Sequence, residues 1–185
     1  MDLAELAQFT YQGLKHRGIE VTLSGGACVS LYTRNAYLSG DLDFIGRLGD
    51  DPSRLDAAMA ALGFKKEGRH FIHPQSDFFV EFPAPPLAIG EQLVTRVRER
   101  SVQSKSGRRG VRMLSPTDCV KDRLCGYFHW DDRQSLDQAV WVAQAQKVDL
   151  AEVRKWSAQE GAPDKFEDFL RALKKARSRK NSGVP

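Results

Sequence analysis

The spacing of hydrophobic residues predicts alternating helices and strands over the first two thirds of the chain. Apolar side chains at intervals of three and four residues indicate helices, whereas alternating apolar and polar residues indicate strands. The pattern predicts a helix over residues 2–17, a strand over 20–24, a helix from Gly25, a strand over 41–45, a helix over 52–62, and paired strands over 64–73, 78–82 and 94–111.

From Ser115 onward, the spacing of the hydrophobic residues predicts only helices. Ser115, Pro116 and Asp118 are typical of a helix start, as an N-cap, a first helical residue and an acid in the first turn. Further helices are predicted over residues 133–146, 150–159 and 163–176, and their core is expected to contain Trp130, Trp141 and Trp156.

These elements predict an α+β fold with two lobes. A mixed-sheet lobe is expected over residues 1–114, a helical lobe over 115–176 and a basic flexible tail over 177–185. A chain of 185 residues is long enough to bury such a core.

The composition of the chain limits the cellular environments in which the protein is expected. No apolar run reaches the roughly 18–20 residues that a membrane span requires, and the acidic, amphipathic N-terminus is unlike a signal peptide. We therefore expect a cytoplasmic protein. Cys28, Cys119 and Cys125 lack the spacing of a zinc site or a disulfide framework, so buried free thiols are predicted.

Two carboxylates are the first candidate for chemistry. Asp41 and Asp43 are alternate residues of a predicted strand, so both project from the same face. Like charges at that separation favour a cation, and Mg²⁺ prefers carboxylate oxygens while keeping positions open for phosphate. The pair predicts a metal site, although an ordinary edge strand with two solvated acids would give the same pattern.

A glycine turn precedes this strand by about one helix. Ser24, Gly25 and Gly26 lie between a short apolar strand and a predicted helix. Residues without a Cβ let a phosphate approach the free N–H groups at a helix N-terminus, and the Ser24 hydroxyl adds a donor. The alternative is a tight turn without a ligand.

Together, Leu23-Ser24-Gly25-Gly26 and Asp41-Leu42-Asp43-Phe44 resemble the signature of the nucleotidyltransferase superfamily typified by DNA polymerase β. Within it, the chain is most similar to small AbiEii-type proteins, which act as toxins of type IV toxin–antitoxin pairs. The chain departs from their pattern before Asp41, where only Arg34 could supply the usual arginine.

The resemblance implies a polymerase β-like fold and transfer of a nucleoside monophosphate from an NTP to an acceptor, with Mg²⁺ or Mn²⁺ as cofactor. It implies RNA or tRNA as the acceptor and a cognate antitoxin as a partner. A protein or a small molecule such as an aminoglycoside is an alternative acceptor. The other alternative is a catalytically silent nucleotide-binding or interaction module.

The resemblance also implies a third carboxylate from a later strand. Glu81 is the best candidate for this catalytic and metal-binding position, and Asp77 is the second choice. A glutamate at a sheet edge that faces water is an equally good interpretation of the pattern.

The helical lobe is expected to add nucleotide-binding residues. By resemblance, Lys121 pairs with the triphosphate, and Arg133 and Asp137 follow one helix later; solvated helix charges are the alternative for all three. Arg123 and His129 give only a weak match to the Arg–His spacing of HEPN ribonucleases.

Basic residues cluster over 96–112 and 174–180, in a chain with a formal net charge of +4. Such clusters favour polyanions and are consistent with an RNA acceptor. A solvated, frayed terminus is the simpler interpretation of the second cluster.

Overall fold

The computed structural model describes residues 1–181, and the side chains of residues 1–179. It confirms the α+β prediction. The helices are α1 (Leu3–Lys15), α2 (Gly25–Thr33), α3 (Pro52–Ala61), α4 (Pro116–Trp130), α5 (Arg133–Ala145), α6 (Leu150–Gln159) and α7 (Pro163–Asn181). The strands are β1 (Thr22–Ser24), β2 (Asp41–Ile45), β3 (Lys65–Glu67), β4 (His70–Ile72), β5 (Phe79–Glu81), β6 (Ala88–Ile89), β7 (Gln92–Leu93), β8 (Arg98–Ser104) and β9 (Gly107–Met113).

Seven of these strands form one mixed sheet in the order β3-β4-β5-β2-β1-β9-β8. The strand β2 lies inside the sheet, antiparallel to β1 and parallel to β5. The strand β9 is parallel to β1 on the other side. The two central strands are therefore paired on both edges, which fixes the register of the residues that they carry.

Local sequence explains where the helices begin. Asp2 and Glu5 form a capping box at α1, in which each side chain accepts a hydrogen bond from the other residue's backbone N–H at 2.9 Å. At α4, the Ser115 side chain accepts a hydrogen bond from the Asp118 N–H at 3.0 Å, and Pro116 occupies the first turn. The predicted start at Ser115 is confirmed.

The tryptophan prediction holds in part. Trp156 is buried and stacks on Phe128, with ring centroids 5.4 Å apart. Trp141 is half-buried and stacks on Tyr37 at 6.2 Å. Trp130 is 76% exposed, so its assignment to the core is wrong. It is the last residue of α4, and Asp131 adopts a left-handed conformation that ends the helix.

Two further features differ from the predicted pattern. The hairpin formed by β6 and β7 was not predicted, because two-residue strands carry too little periodicity to detect. The helix α7 continues to Asn181, so residues 177–181 of the predicted flexible tail are helical; residues 182–185 lie outside the described residues. The helix was predicted to end at residue 176 because the residues that follow are basic. Charge does not end this helix, since Lys and Arg are good helix formers.

The sheet ends at Met113, and the chain is helical from Pro116. Buried hydrophobic residues nevertheless form one cluster that extends from Leu3 to Leu173. A division into separate lobes therefore stays a prediction. Cys28 and Cys119 are buried free thiols, as predicted, while Cys125 is only partly buried. Over residues 1–181, every helix is too short or too polar to span a bilayer.

Candidate active site

The strand β2 presents its two aspartates on one face of the sheet. Leu42 and Phe44 are fully buried on the opposite face, while Asp41 and Asp43 remain partly accessible. In the ladder, Asp43 lies opposite Ser24 of β1 on one side and Glu81 of β5 on the other. Directly opposed residues share a face, so Ser24, Asp43 and Glu81 form a row across three strands.

The glycine turn lies directly against the aspartates. Gly25 has φ +66°, and a Cβ placed on it would lie 2.3 Å from Asp43 Oδ2. A Cβ on Gly26 would lie 2.7 Å from Ser39 Oγ, and that hydroxyl donates to Asp41 Oδ1 at 2.8 Å. The two sequence motifs therefore meet in one site.

The start of α2 leaves hydrogen-bond donors at this site. Ser24 is the N-cap residue, but its side chain does not cap the helix; its hydroxyl instead donates to the Asp43 carbonyl oxygen at 3.3 Å. The N–H groups of the first turn have no partner within a helix. They form a local positive end that suits a phosphate group.

Gly25→Ala tests whether the close approach is needed. A side chain at this position must adopt a left-handed conformation and displace the Asp43 carboxylate, so we expect a loss of about 1–3 kcal/mol of stability. The control is Gly40→Ala, because a Cβ on Gly40 meets nothing within 4 Å. Thermal unfolding of both variants checks the result; equal melting temperatures would contradict the described contact.

The protein environment of Asp43 disfavours the ionised form of its carboxyl group. Burial raises its pKa from 3.8 to about 6, and the negative charges of Asp41 and Glu81 add to the increase. The Arg123 guanidinium acts in the opposite direction. The site therefore holds more negative charge than its own residues neutralise, which is the condition that a bound cation relieves.

This pKa predicts how stability depends on pH. Between about pH 4 and pH 6 the folded protein binds more protons at Asp43 than the unfolded chain does, so stability should fall as pH rises through this window. The shift corresponds to about 3 kcal/mol. In EDTA at pH 7.5, Asp43→Asn should therefore melt about 5–10 °C higher than the wild type. Below pH 4 the difference should vanish, and a lower melting temperature at pH 7.5 would contradict the charge argument.

Glu81 reaches the row but is held by other residues. His70 Nε2 lies 2.6 Å from Glu81 Oε1, and Arg69 Nε lies 3.4 Å from the same oxygen. Among residues 1–181, no three His, Cys, Asp or Glu side chains are placed to hold a metal ion together. Glu81 is instead paired with His70 of β4, so the assignment of Asp41, Asp43 and Glu81 as one metal-binding set stays a prediction. Asp77, the second choice, is exposed before β5.

Two carboxylates are nevertheless a suitable donor set for Mg²⁺. Magnesium is commonly bound by one or two carboxylates together with water and substrate phosphates. Asp41 and Asp43 supply hard oxygen ligands beside the N-terminus of α2 at Gly25, and burial together with the charges of Asp41 and Glu81 raises the pKa of Asp43. The residues of β2 therefore fit a divalent cation of this class.

The predicted nucleotide-binding residues of the helical half contact other protein groups or solvent. Lys121 is buried and pairs with Glu152 of α6 and, at 3.6 Å, with Asp118. Arg133 lies over the Tyr127 ring at 5.2 Å, and Asp137 is exposed. In the part of the chain that the structure describes, none of the three hydrogen-bonds or pairs with Asp41 or Asp43.

The action of Arg123 on Asp43 is what the sequence interpretation missed. Its guanidinium binds Asp122 Oδ2 through Nε (3.0 Å) and Nη2 (2.6 Å), and its charge lowers the pKa of Asp43. Lys121 and Arg123 are two residues apart, which places them about 200° apart around the helix. The helical period of α4 was therefore the signal that could separate them.

The weak Arg–His match does not form a pair. His129 Nε2 lies 3.5 Å from Glu160 Oε2, whereas Arg123 binds Asp122 and, at 3.3 Å, Gln138 Oε1. The two residues therefore act with different partners, and Arg123 belongs to the surroundings of Asp43.

Comparison with solved structures identifies the fold. No protein-family model matches the chain, and no curated protein matches it. A crystal structure of an antigenic nucleotidyltransferase-like protein from Paracoccidioides brasiliensis superposes with a TM-score of 0.57 at 12% identity, covering 98% of this chain and 91% of that one.

Two structures of the antibiotic-resistance factor ANT(2'')-Ia align less well. The solution structure has a TM-score of 0.49 at 13% identity and covers 97% of this chain and 93% of that one. The crystal structure in complex with adenylyl-2''-tobramycin has a TM-score of 0.49 at 15% identity and covers 94% and 98%. The fold assignment depends on the Paracoccidioides structure: the chain has a nucleotidyltransferase fold.

Proposed function

We propose that this chain transfers a nucleoside monophosphate from an NTP to an acceptor. The observation that supports this most directly is the contact of Gly25 with Asp43, which brings the N-terminus of α2 against a carboxylate pair. The nucleotidyltransferase fold is consistent with it.

Each group at the site has a proposed role. The N–H groups at the start of α2 and the Ser24 hydroxyl bind the triphosphate, and Gly25 and Gly26 allow its approach. Asp41 and Asp43 hold Mg²⁺ or Mn²⁺, which when bound neutralises charge on the reacting phosphates. Glu81 is proposed to lie near the acceptor, held in place by His70.

The reaction exchanges one phosphorus–oxygen bond for another. An acceptor oxygen attacks the α-phosphorus, the bond to the β-phosphate oxygen breaks, and pyrophosphate leaves with the electron pair. The acceptor proton passes to Glu81 or to water. Arg123 keeps positive charge beside Asp43 and favours its ionised form.

The finer assignments remain proposals from resemblance. They are an RNA or tRNA acceptor, an AbiEii-type toxin with a cognate antitoxin, a cytoplasmic location, and nucleotide contacts by Lys121, Arg133 and Asp137. The pairing of Lys121 with Glu152 and Asp118 shifts the proposed cationic role in this helix to Arg123.

A silent nucleotide-binding module is the second candidate. It is favoured by one observation: Glu81 is occupied by His70 and Arg69, so the third carboxylate is not free. This candidate predicts that NTP binds at the site without turnover.

A transfer assay separates the two candidates. The purified protein is incubated with Mg²⁺ or Mn²⁺, each α-labelled NTP in turn, and total RNA, protein lysate or an aminoglycoside. Label on one acceptor class would support transfer and identify the acceptor. NTP binding without label on any acceptor would support the silent module.

A further inference from the structure

A strongly basic cavity lies beside the first turn of α4, apart from the aspartates. Its volume is about 490 Å³. The charged side chains that line it are Arg96, Arg98, Arg100, Lys121, Asp118 and Glu152. Four basic groups therefore face two acidic ones.

The three arginines carry the excess positive charge of this cavity. Lys121 already pairs with both acids. Within residues 1–181, Arg96, Arg98 and Arg100 form no ion pair or hydrogen bond through their side chains, and Nε of Arg100 is buried without an acceptor. A buried donor without an acceptor is costly, and adjacent guanidinium groups repel each other. An anion in the cavity would remove both costs.

The arginines are arranged as a row. They are alternate residues in and just before β8, and alternate strand residues lie about 6.6 Å apart, so the row extends over about 13 Å. The backbone positions of these groups are spread over that length, which a chain of phosphates matches better than a single small anion does. The arrangement therefore favours a ligand with several phosphates in sequence.

The sheet order separates this row from the aspartates. From β8 to β2 there are three strand intervals, which place the two backbones about 14 Å apart. An NTP whose α-phosphate lies at Asp43 already has phosphate donors at the start of α2, so its triphosphate does not account for the row. The acceptor remains as the occupant.

A second cavity adjoins the basic one. It has a volume of about 530 Å³ and shares Leu93, Val94 and Thr95 with the basic cavity. It reaches Thr22 and Ile45, which lie opposite each other two residues from Ser24 and Asp43 and on the same face. Arg98 pairs with Met113, Met113 with Leu23 and Leu23 with Phe44, so Arg98 and Arg100 lie on the opposite face of the sheet from Asp43. A chain molecule that contacts both places must therefore pass around the edge of the sheet, where the two cavities meet at residues 93–95.

We propose that Arg96, Arg98 and Arg100 bind consecutive phosphates of a single-stranded RNA whose end is presented to Asp41 and Asp43. The role of these arginines in binding an acceptor depends on the proposed transfer reaction. Their role in binding RNA does not.

The test is binding of a short fluorescein-labelled single-stranded RNA, followed by anisotropy over a series of salt concentrations. Arg98→Gln/Arg100→Gln should weaken binding about tenfold or more and reduce the slope of log K against log salt by about 1.4. The matched control, Lys174→Gln/Lys175→Gln, removes the same charge from α7 and should leave affinity within about twofold. ATP affinity should be unchanged in both.

Two results of these binding measurements would contradict the proposed RNA site. RNA affinity unchanged in the β8 variant, or ATP affinity reduced there instead, would overturn the proposal. Arg96 lies outside the regular strand, so the variant Arg96→Gln repeats the RNA-binding test without altering β8. If RNA binding depends on the arginines but no transfer occurs, the RNA site is supported and the proposed reaction is rejected. If the double variant transfers to RNA as fast as the wild type, the proposed reaction is supported and the arginine site is rejected.

Discussion

Asp43→Asn should reduce nucleotidyl transfer about a thousandfold or more while leaving the protein folded. Asparagine keeps the shape of the side chain but loses the negative charge that a divalent cation requires, and charge stabilisation of a reacting phosphate accounts for several kcal/mol of the barrier. The strand itself should tolerate the change, because Asp43 is unfavourable as an anion in the absence of a cation. Steady-state transfer with saturating NTP, beside thermal unfolding in EDTA, measures both effects.

The control for this variant is Asp77→Asn. Asp77 is an exposed carboxylate just before β5, so its loss removes the same charge without touching the row on β2. Its transfer rate should remain within about twofold of the wild type. Asp41→Asn should match Asp43→Asn, since both carboxylates are proposed to hold the same cation. Normal transfer by either β2 variant would reject the proposed role of the pair.

Glu81 separates a catalytic role from a structural one. Glu81→Gln keeps a hydrogen-bond acceptor for His70 but cannot take a proton, so we expect kcat to fall about a hundredfold with little change in melting temperature. His70→Ala should alter kcat less, because it changes only the position of Glu81. Equal activity of Glu81→Gln and the wild type would assign Glu81 to the structure of the sheet.

The parts of this site that were predicted from sequence are those governed by local geometry. The alternation of Asp41, Leu42, Asp43 and Phe44 determines which face each side chain occupies, and β2 has the predicted bounds. A glycine pair before a helix likewise indicates a turn that a phosphate can approach. Neither inference required knowledge of which strands are neighbours.

The parts that were missed depend on pairing between distant segments. The contact of Glu81 with His70 follows from the register of β4 and β5, which hydrophobic pattern alone leaves open. The two-residue strands of the β6–β7 hairpin have no detectable period. Lys121 was assigned by its position in the motif, whereas packing of α4 against α5 and α6 decides which side of the helix faces Asp43.

Arg123→Leu should lower the free energy of unfolding by about 3–5 kcal/mol. The guanidinium is largely buried and makes two hydrogen bonds to Asp122, so its removal leaves a carboxylate in a desolvated place without a partner. The loss should lower the melting temperature by about 10 °C for a chain of this size. It should also raise the pKa of Asp43 further, since Arg123 is the positive charge that opposes the increase.

Two comparisons isolate the buried charge as the cause. Arg154→Leu removes an arginine from the exposed pair with Glu167, and should cost about 1 kcal/mol or less. Adding Asp122→Asn to Arg123→Leu removes the stranded carboxylate, so the double variant should be more stable than Arg123→Leu alone, with a coupling energy of about 1–3 kcal/mol. If Arg123→Leu cost no more than Arg154→Leu, the guanidinium would be a surface charge, and its proposed action on Asp43 would fail with it.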